Sequence, residues 1–175
     1  MSRVFFEGCL HLGHKWMANH RGFTDEFYHD EKVIDTWNSI VNKKDLVYIL
    51  GDITMETPEH YYQLDRLTGR KIVVLGNHDR HQDVKELLKY VDSVGGMIDY
   101  KGFVLTHCPI HPSDIGMYKG NIHAHIHENP LEEVFALDKY KDHDSVIRPT
   151  LHKYHNVDAH IINYKPKTLE EIING

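Results

Sequence analysis

The 175-residue sequence predicts an α/β fold built on parallel strands, and three observations carry that prediction. Short apolar runs recur at Val4-Phe5-Phe6, Leu46-Val47-Tyr48-Ile49-Leu50 and Ile72-Val73-Val74-Leu75. They are too brief for helices and too apolar for surface strands, so they read as strands covered on both faces. Amphipathic stretches of helical period alternate with them, as in an α/β architecture. Each run also leads into a glycine, Gly8, Gly51 or Gly76, followed by ligand-type side chains. A hydrophobic content of 41% is enough for a core without disulfides, and residues 1–175 are expected to form a single domain.

Taken in order, the strand at Val4 delivers Cys9 and His11. Two residues apart in extended backbone, they would point the same way and could grip one ion; a buried, inert Cys9 beside a surface His11 is the alternative. Lys15 to Gly22 reads as a loop over the site. Arg21 on it offers a planar donor fork suited to phosphate, or is simply solvated. Thr24 is expected to cap a helix with a core stripe of Phe27, Val33, Ile34, Trp37, Ile40 and Val41. The strand at Leu46 follows and ends at Gly51-Asp52. Thr57-Pro58 opens the next helix, with Tyr61, Leu64 and Leu67 inward and Gly69 at its end.

The run at Lys71 to Leu75 then reaches Gly76-Asn77-His78-Asp79. Asn77 brings a neutral amide oxygen, His78 a group that titrates near neutrality, and Asp79 a carboxylate able to hold an imidazole in one orientation. A helix over residues 82–90 should bury Val84, Leu87 and Leu88. Residues 98–105 read as a hairpin around Lys101-Gly102, whose second strand delivers Thr106-His107-Cys108. Strand alternation through Ile122-His123-Ala124-His125-Ile126-His127 gathers the imidazoles on one face, with the last two leaving the regular ladder. Residues 128–153 mix charges with the Val134-Phe135-Ala136-Leu137 run and read as an insertion near the site. Closing strands are expected at 156–158 and 160–162, and Thr168 to Glu171 has capping-box spacing for a last helix.

A net charge of -6 and a pI near 6.2 argue against long duplex nucleic acid as a partner. A small anionic substrate would then need local positive charge, most simply from metal, and sixteen histidines point the same way. Cys9 and Cys108 are expected to be free thiols. The apolar stretch at residues 4–6 is far too short for a signal peptide and no run reaches membrane-spanning length, so a cytoplasmic protein with no membrane partner is expected.

Five ordered blocks, Cys9-Leu10-His11, Gly51-Asp52, Gly76-Asn77-His78-Asp79, His107 and Ala124-His125-Ile126-His127, resemble the calcineurin-like metallophosphoesterases. The family pattern is Asp-x-His, Gly-Asp, Gly-Asn-His-Asp or Glu, a lone His, and Gly-His-x-His. The resemblance implies a two-sheet β-sandwich flanked by helices, with two divalent metal ions at the strand ends. Carried over block by block, Cys9, His11 and His127 would hold one ion, Asn77, His107 and His125 the other, and Asp52 would bridge. His78 would stabilise the transition state or protonate the leaving oxygen, with Asp79 as its orienter, and Arg21 and His14 would face the substrate. The implied activity is hydrolysis of a small phosphodiester, with a nucleotide as one candidate. The alternatives are a metal-binding or scaffold protein that has lost turnover, and a nuclease or phosphomonoesterase. Ala124 departs from the pattern mildly. Cys9 departs seriously, because a soft, oxidisable thiolate in place of a carboxylate favours zinc or iron over manganese or magnesium.

Overall fold

The computed structural model describes residues 2–135 and 148–175. Among the described residues nine strands form two sheets: β1 (Val4–Glu7), β2 (Leu46–Ile49), β3 (Arg70–Val74), β4 (Ser93–Gly95), β5 (Ile98–Tyr100), β6 (Phe103–Leu105), β7 (Gly120–His123), β8 (Tyr154–Asn156) and β9 (Lys167–Thr168). The first sheet runs β4-β3-β2-β1-β9 and the second β5-β6-β7-β8. In the first sheet β1 to β4 pair in parallel, as the alternation of strand and helix predicts, and of its described strands only the edge strand β9 runs antiparallel. β5 and β6 form the expected hairpin, with Lys101 and Gly102 both at positive φ as a tight two-residue turn requires.

The apolar strands are covered on both faces. Phe5, Val47, Ile49 and Val73 pack toward the helices with Val33, Ile34 and Trp37, while Phe6, Leu50 and Val74 pack against Phe103, Leu105 and Ile122 of the second sheet. Two sheets flanked by helices therefore enclose two apolar layers, and Cys9, Ala124 and Val157 lie in the layer between the sheets. The carboxyl ends of β1, β2, β3, β6 and β7 open toward one region, where the candidate ligands lie.

Several local expectations need correction. Residues 15–22 contain a helix, α1 (Lys15–His20), whose first turn is capped by the His14 side chain instead of running as a loop. The next helix, α2 (Glu26–Ile40), is capped by Asp25, whose carboxylate accepts from Tyr28 N, and not by Thr24. Phe27 faces outward on α2 instead of joining the stripe. Pro58–Arg66 is a 3-10 helix. The helix expected over 82–90 shortens to a 3-10 turn, His81–Asp83, and α3 (Val84–Leu87), leaving Leu88 exposed. α4 (Leu131–Val134) lies where an insertion was expected, and Ala136 and Leu137 of the apolar run fall outside the described residues. Residues 160–162 form turns and not a strand. The terminal helix α5 (Leu169–Asn174) carries the full capping box between Thr168 and Glu171. Among the described residues no helix is long and apolar enough to cross a membrane.

Candidate metal centre

The site is assembled by left-handed backbone. Cys9, His11, Asp52, His125 and His127 all have φ between +49° and +67°, and they are five of the nine non-glycine residues with positive φ among those described. Such conformations cost energy and persist where surrounding structure holds them, which marks this region as the strained locus of the chain. They also correct the expectation of extended geometry: Cys9 and His11 converge because each turns out of the strand direction, and His125 and His127 because the chain leaves the β7 ladder after His123. His123 is thereby separated from the other two histidines. It stays fully buried within β7, with Nδ1 2.9 Å from the Ala124 carbonyl.

Two groups of ligand atoms result. Those of Cys9, His11 and His127 lie within 4.8 Å of one another, as do those of His107, Cys108 and His125; Cys9, Asp52 and His107 link the two groups. Asp52 Oδ2 is 4.0 Å from His11 Nε2 and 3.3 Å from His107 Nε2, so one carboxylate oxygen faces both. The Asn77 amide oxygen lies 2.9 Å from His107 Nε2. Close approach of the two loops requires Gly76, because a Cβ there would collide with Asp52 Oδ1, which instead accepts from His78 N at 3.0 Å.

The hydrogen bonds behind the imidazoles set which nitrogen faces inward. His107 Nδ1 lies 2.7 Å from the Leu50 carbonyl and donates there, which turns Nε2 into the site. The Asp52 carboxylate 3.3 Å away raises the His107 pKa despite burial, so without metal Nε2 carries a proton toward Asp52 and a bound cation would take that proton's place. His127 Nδ1 lies 2.7 Å from Asp158 Oδ2, the carboxylate support that metal-binding imidazoles commonly have. Burial, with Arg21 adding to it, pulls the His11 imidazole down to about 3, so it is neutral, and both of its ring nitrogens are buried without a partner. Burial opposes the Asp52 carboxylate, but the hydrogen bond from His107 outweighs it and holds Asp52 down at about 2. An ionised carboxylate beside neutral, orphaned imidazole nitrogens is a donor set that suits divalent metal.

Residues 2–170 match the calcineurin-like phosphoesterase family. The chain belongs to that family. An uncharacterised protein of Methanocaldococcus jannaschii is 28% identical over 178 residues, covering 99% of this chain and 90% of its own length. The gene 66 proteins of Mycobacterium phages L5 and D29 are 39% and 41% identical over 84 and 86 residues, covering 45% and 46% of this chain and 41% and 42% of their own lengths. A solved structure of a protein of unknown function from Aquifex aeolicus superposes with a TM-score of 0.69 at 23% identity, covering 99% of both chains, and shares the fold.

Within this member of the calcineurin-like phosphoesterase family, three expected site residues take unexpected places. Arg21 does not face a substrate. Its guanidinium is buried against Asp158 at 3.4 Å, donates to the Cys9 carbonyl at 2.9 Å and touches His29 at 3.1 Å. Its fork is consumed by the backbone of the Cys9 turn. Asp79 does not orient His78. Its carboxylate accepts from the backbone N–H groups of Asp52 (2.7 Å), Gly76 (2.9 Å) and Ile53 (3.1 Å), tying the Asp52 loop to the Asn77 loop. The carboxylate beside His78 Nδ1 is Glu56, at 3.6 Å, a residue that carried no signal in the sequence. His14 spends Nδ1 on capping α1 at Met17 N, and its ring lies 6.3 Å from that of His11.

Cys9 is fully buried, and its Sγ accepts from His125 N at 3.2 Å. Burial, then Asp158 and Asp52, push its thiol well above the ordinary range. Both cysteines are free, as expected, but Cys108 adds an unforeseen thiol to the second group. Glu7 and Asp158 were also missed. Glu7 is fully buried with both oxygens unpartnered, and burial with Asp158 pushes it up to about 8.

Proposed function

We propose that this protein is a metal-dependent phosphoesterase that hydrolyses a small phosphodiester at the Cys9, His11, Asp52, Asn77, His107, His125 and His127 centre. The observation that carries the proposal is the position of Asp52 Oδ2 between His11 Nε2 and His107 Nε2, one nitrogen from each ligand group. Two divalent cations, when bound, supply Lewis acidity toward a phosphoryl oxygen and make water a nucleophile at neutral pH. The chain's own residues account for the remaining requirements. Asp52, the neutral imidazole of His11 and the imidazole of His107 hold the charge centre, and the buried wall behind Cys9 excludes water from one side. His78 stands at the rim, held by its backbone N–H on Asp52 Oδ1 and with Glu56 beside Nδ1. That arrangement leaves Nε2 as the nitrogen for the leaving oxygen.

A second reading, a protein of the same family that binds metal with impaired turnover, is favoured by Cys9. A buried thiol whose environment disfavours the thiolate is a weak substitute for a carboxylate unless a thiophilic ion displaces its proton. The test is hydrolysis of a chromogenic phosphodiester, with the matching monoester alongside, by metal-stripped protein reloaded anaerobically with manganese, zinc or iron. Turnover that requires metal and is lost in His78→Ala is expected. Protein carrying two ions per chain that hydrolyses neither ester with any metal would favour the second reading instead.

A further inference from the structure

The indole of Trp16 is 62% exposed, yet it is held within a closed circuit of contacts that starts and ends at the candidate metal ligands. On one side its ring lies 6.4 Å from that of His14, which lies 6.3 Å from that of His11. On the other it stacks on His20, with centroids 5.1 Å apart and planes 6° from parallel. His20 Nε2 meets Glu128 Oε1 at 3.2 Å, and Glu128 follows His127, whose ring is 5.5 Å from that of His11. Isolated exposed aromatics are ordinary, and Phe27 and Tyr28, packed on each other on α2, are of that kind. Trp16 differs because both its neighbours anchor it to one half of the metal centre.

We propose that Trp16, braced by His20, is the base-side subsite of this centre, on which the heteroaromatic ring of a nucleotide phosphoester stacks while its phosphate occupies the metal side. This rests on the phosphoesterase reading and narrows its substrate to esters that carry a nucleobase. An indole face suits that role because every base presents a π-face to it. The subsite therefore selects bases as a class and discriminates weakly among them. No positively charged clamp is required near it, in keeping with the chain's acidic balance.

Two esters with the same strained five-membered phosphate, adenosine 2′,3′-cyclic phosphate and glycerol 1,2-cyclic phosphate, separate the base from the phosphate. For the metal-loaded protein the preference in kcat/KM for the adenosine ester should fall about tenfold or more in Trp16→Ala, chiefly through KM, and largely return in Trp16→Phe. An undiminished preference would overturn the proposal. A binding measurement stands apart from turnover. The chain has two tryptophans, and the other, Trp37, is fully buried with its N–H donated to Thr68 O, so an exposed ligand quenches Trp16 alone. Adenosine monophosphate should quench that emission in the wild-type protein and leave the Trp16→Phe protein unaffected, whereas glycerol phosphate should quench neither. Quenching without hydrolysis of either ester would retain the subsite and reject the phosphoesterase reading. Absence of quenching at millimolar adenosine monophosphate would reject the subsite whatever the activity.

Discussion

His127 Nδ1 lies 2.7 Å from a fully buried Asp158 oxygen, and the Asp158 carboxylate also faces the Arg21 guanidinium. One carboxylate thus orients a candidate ligand and neutralises a cation that itself holds the Cys9 carbonyl. Burial works against the Asp158 charge, but the His127 hydrogen bond and Arg21 keep its pKa below the ordinary carboxylate value. Removing Asp158 leaves a buried guanidinium uncompensated. Asp158→Asn should therefore destabilise the metal-free protein by about 3 kcal/mol and weaken metal binding at the His127 side by about 10- to 100-fold. The double variant Arg21→Met with Asp158→Leu should recover much of the stability and none of the affinity. Urea denaturation and metal titration against a chelating dye measure the two effects. Affinity that returned with stability would show that Asp158 serves the fold and not the ligand.

The Cys9 position separates the soft-ligand site from a carboxylate site. In Cys9→Asp a third carboxylate enters a buried region that already holds Asp52 and Asp158, so the metal-free protein should lose about 1–3 kcal/mol. With metal bound, the harder oxygen should raise the preference for manganese over zinc. Cys9→Ala should bind one ion per chain instead of two at limiting metal. Elemental analysis after gel filtration counts the ions, and an unchanged count in Cys9→Ala would remove Cys9 from the ligand set.

The apolar strands, the glycines after them and the order of the ligand blocks were legible because they rest on local pattern. Strand burial follows from runs such as Ile72 to Leu75, and the tight approach at Gly76 from the lack of a side chain there. What lay hidden depends on long-range geometry or on backbone sign. Nothing in Cys9-Leu10-His11 announces two left-handed residues, so an extended half-site was the natural expectation. Arg21 and Asp158 are 137 positions apart, and their pairing arises only because Gly8 bridges to Asp158 beside β1. Glu56 reaches His78 from the segment between Asp52 and Pro58, where no pattern in the sequence marks it.

Asp79 and His78 are adjacent in sequence and should behave as unlike variants. Asp79 accepts three backbone N–H groups, two of them in fully buried bonds, so Asp79→Ala should cost about 3 kcal/mol by leaving them unsatisfied. Because it fixes the Asp52 and Asn77 loops together, Asp79→Asn should lower turnover by a similar factor for every ester. His78 sits at the rim with a carboxylate, Glu56, near Nδ1, and its loss should be felt most where the leaving oxygen needs a proton. His78→Ala should therefore reduce turnover about 100-fold or more for alkyl leaving groups and far less for p-nitrophenolate, with both ions retained. Glu56→Gln should shift the same dependence weakly. A leaving-group series measured for the three variants distinguishes the roles. If Asp79→Asn reproduced the leaving-group dependence of His78→Ala, Asp79 would be restored as the orienter despite its backbone bonds.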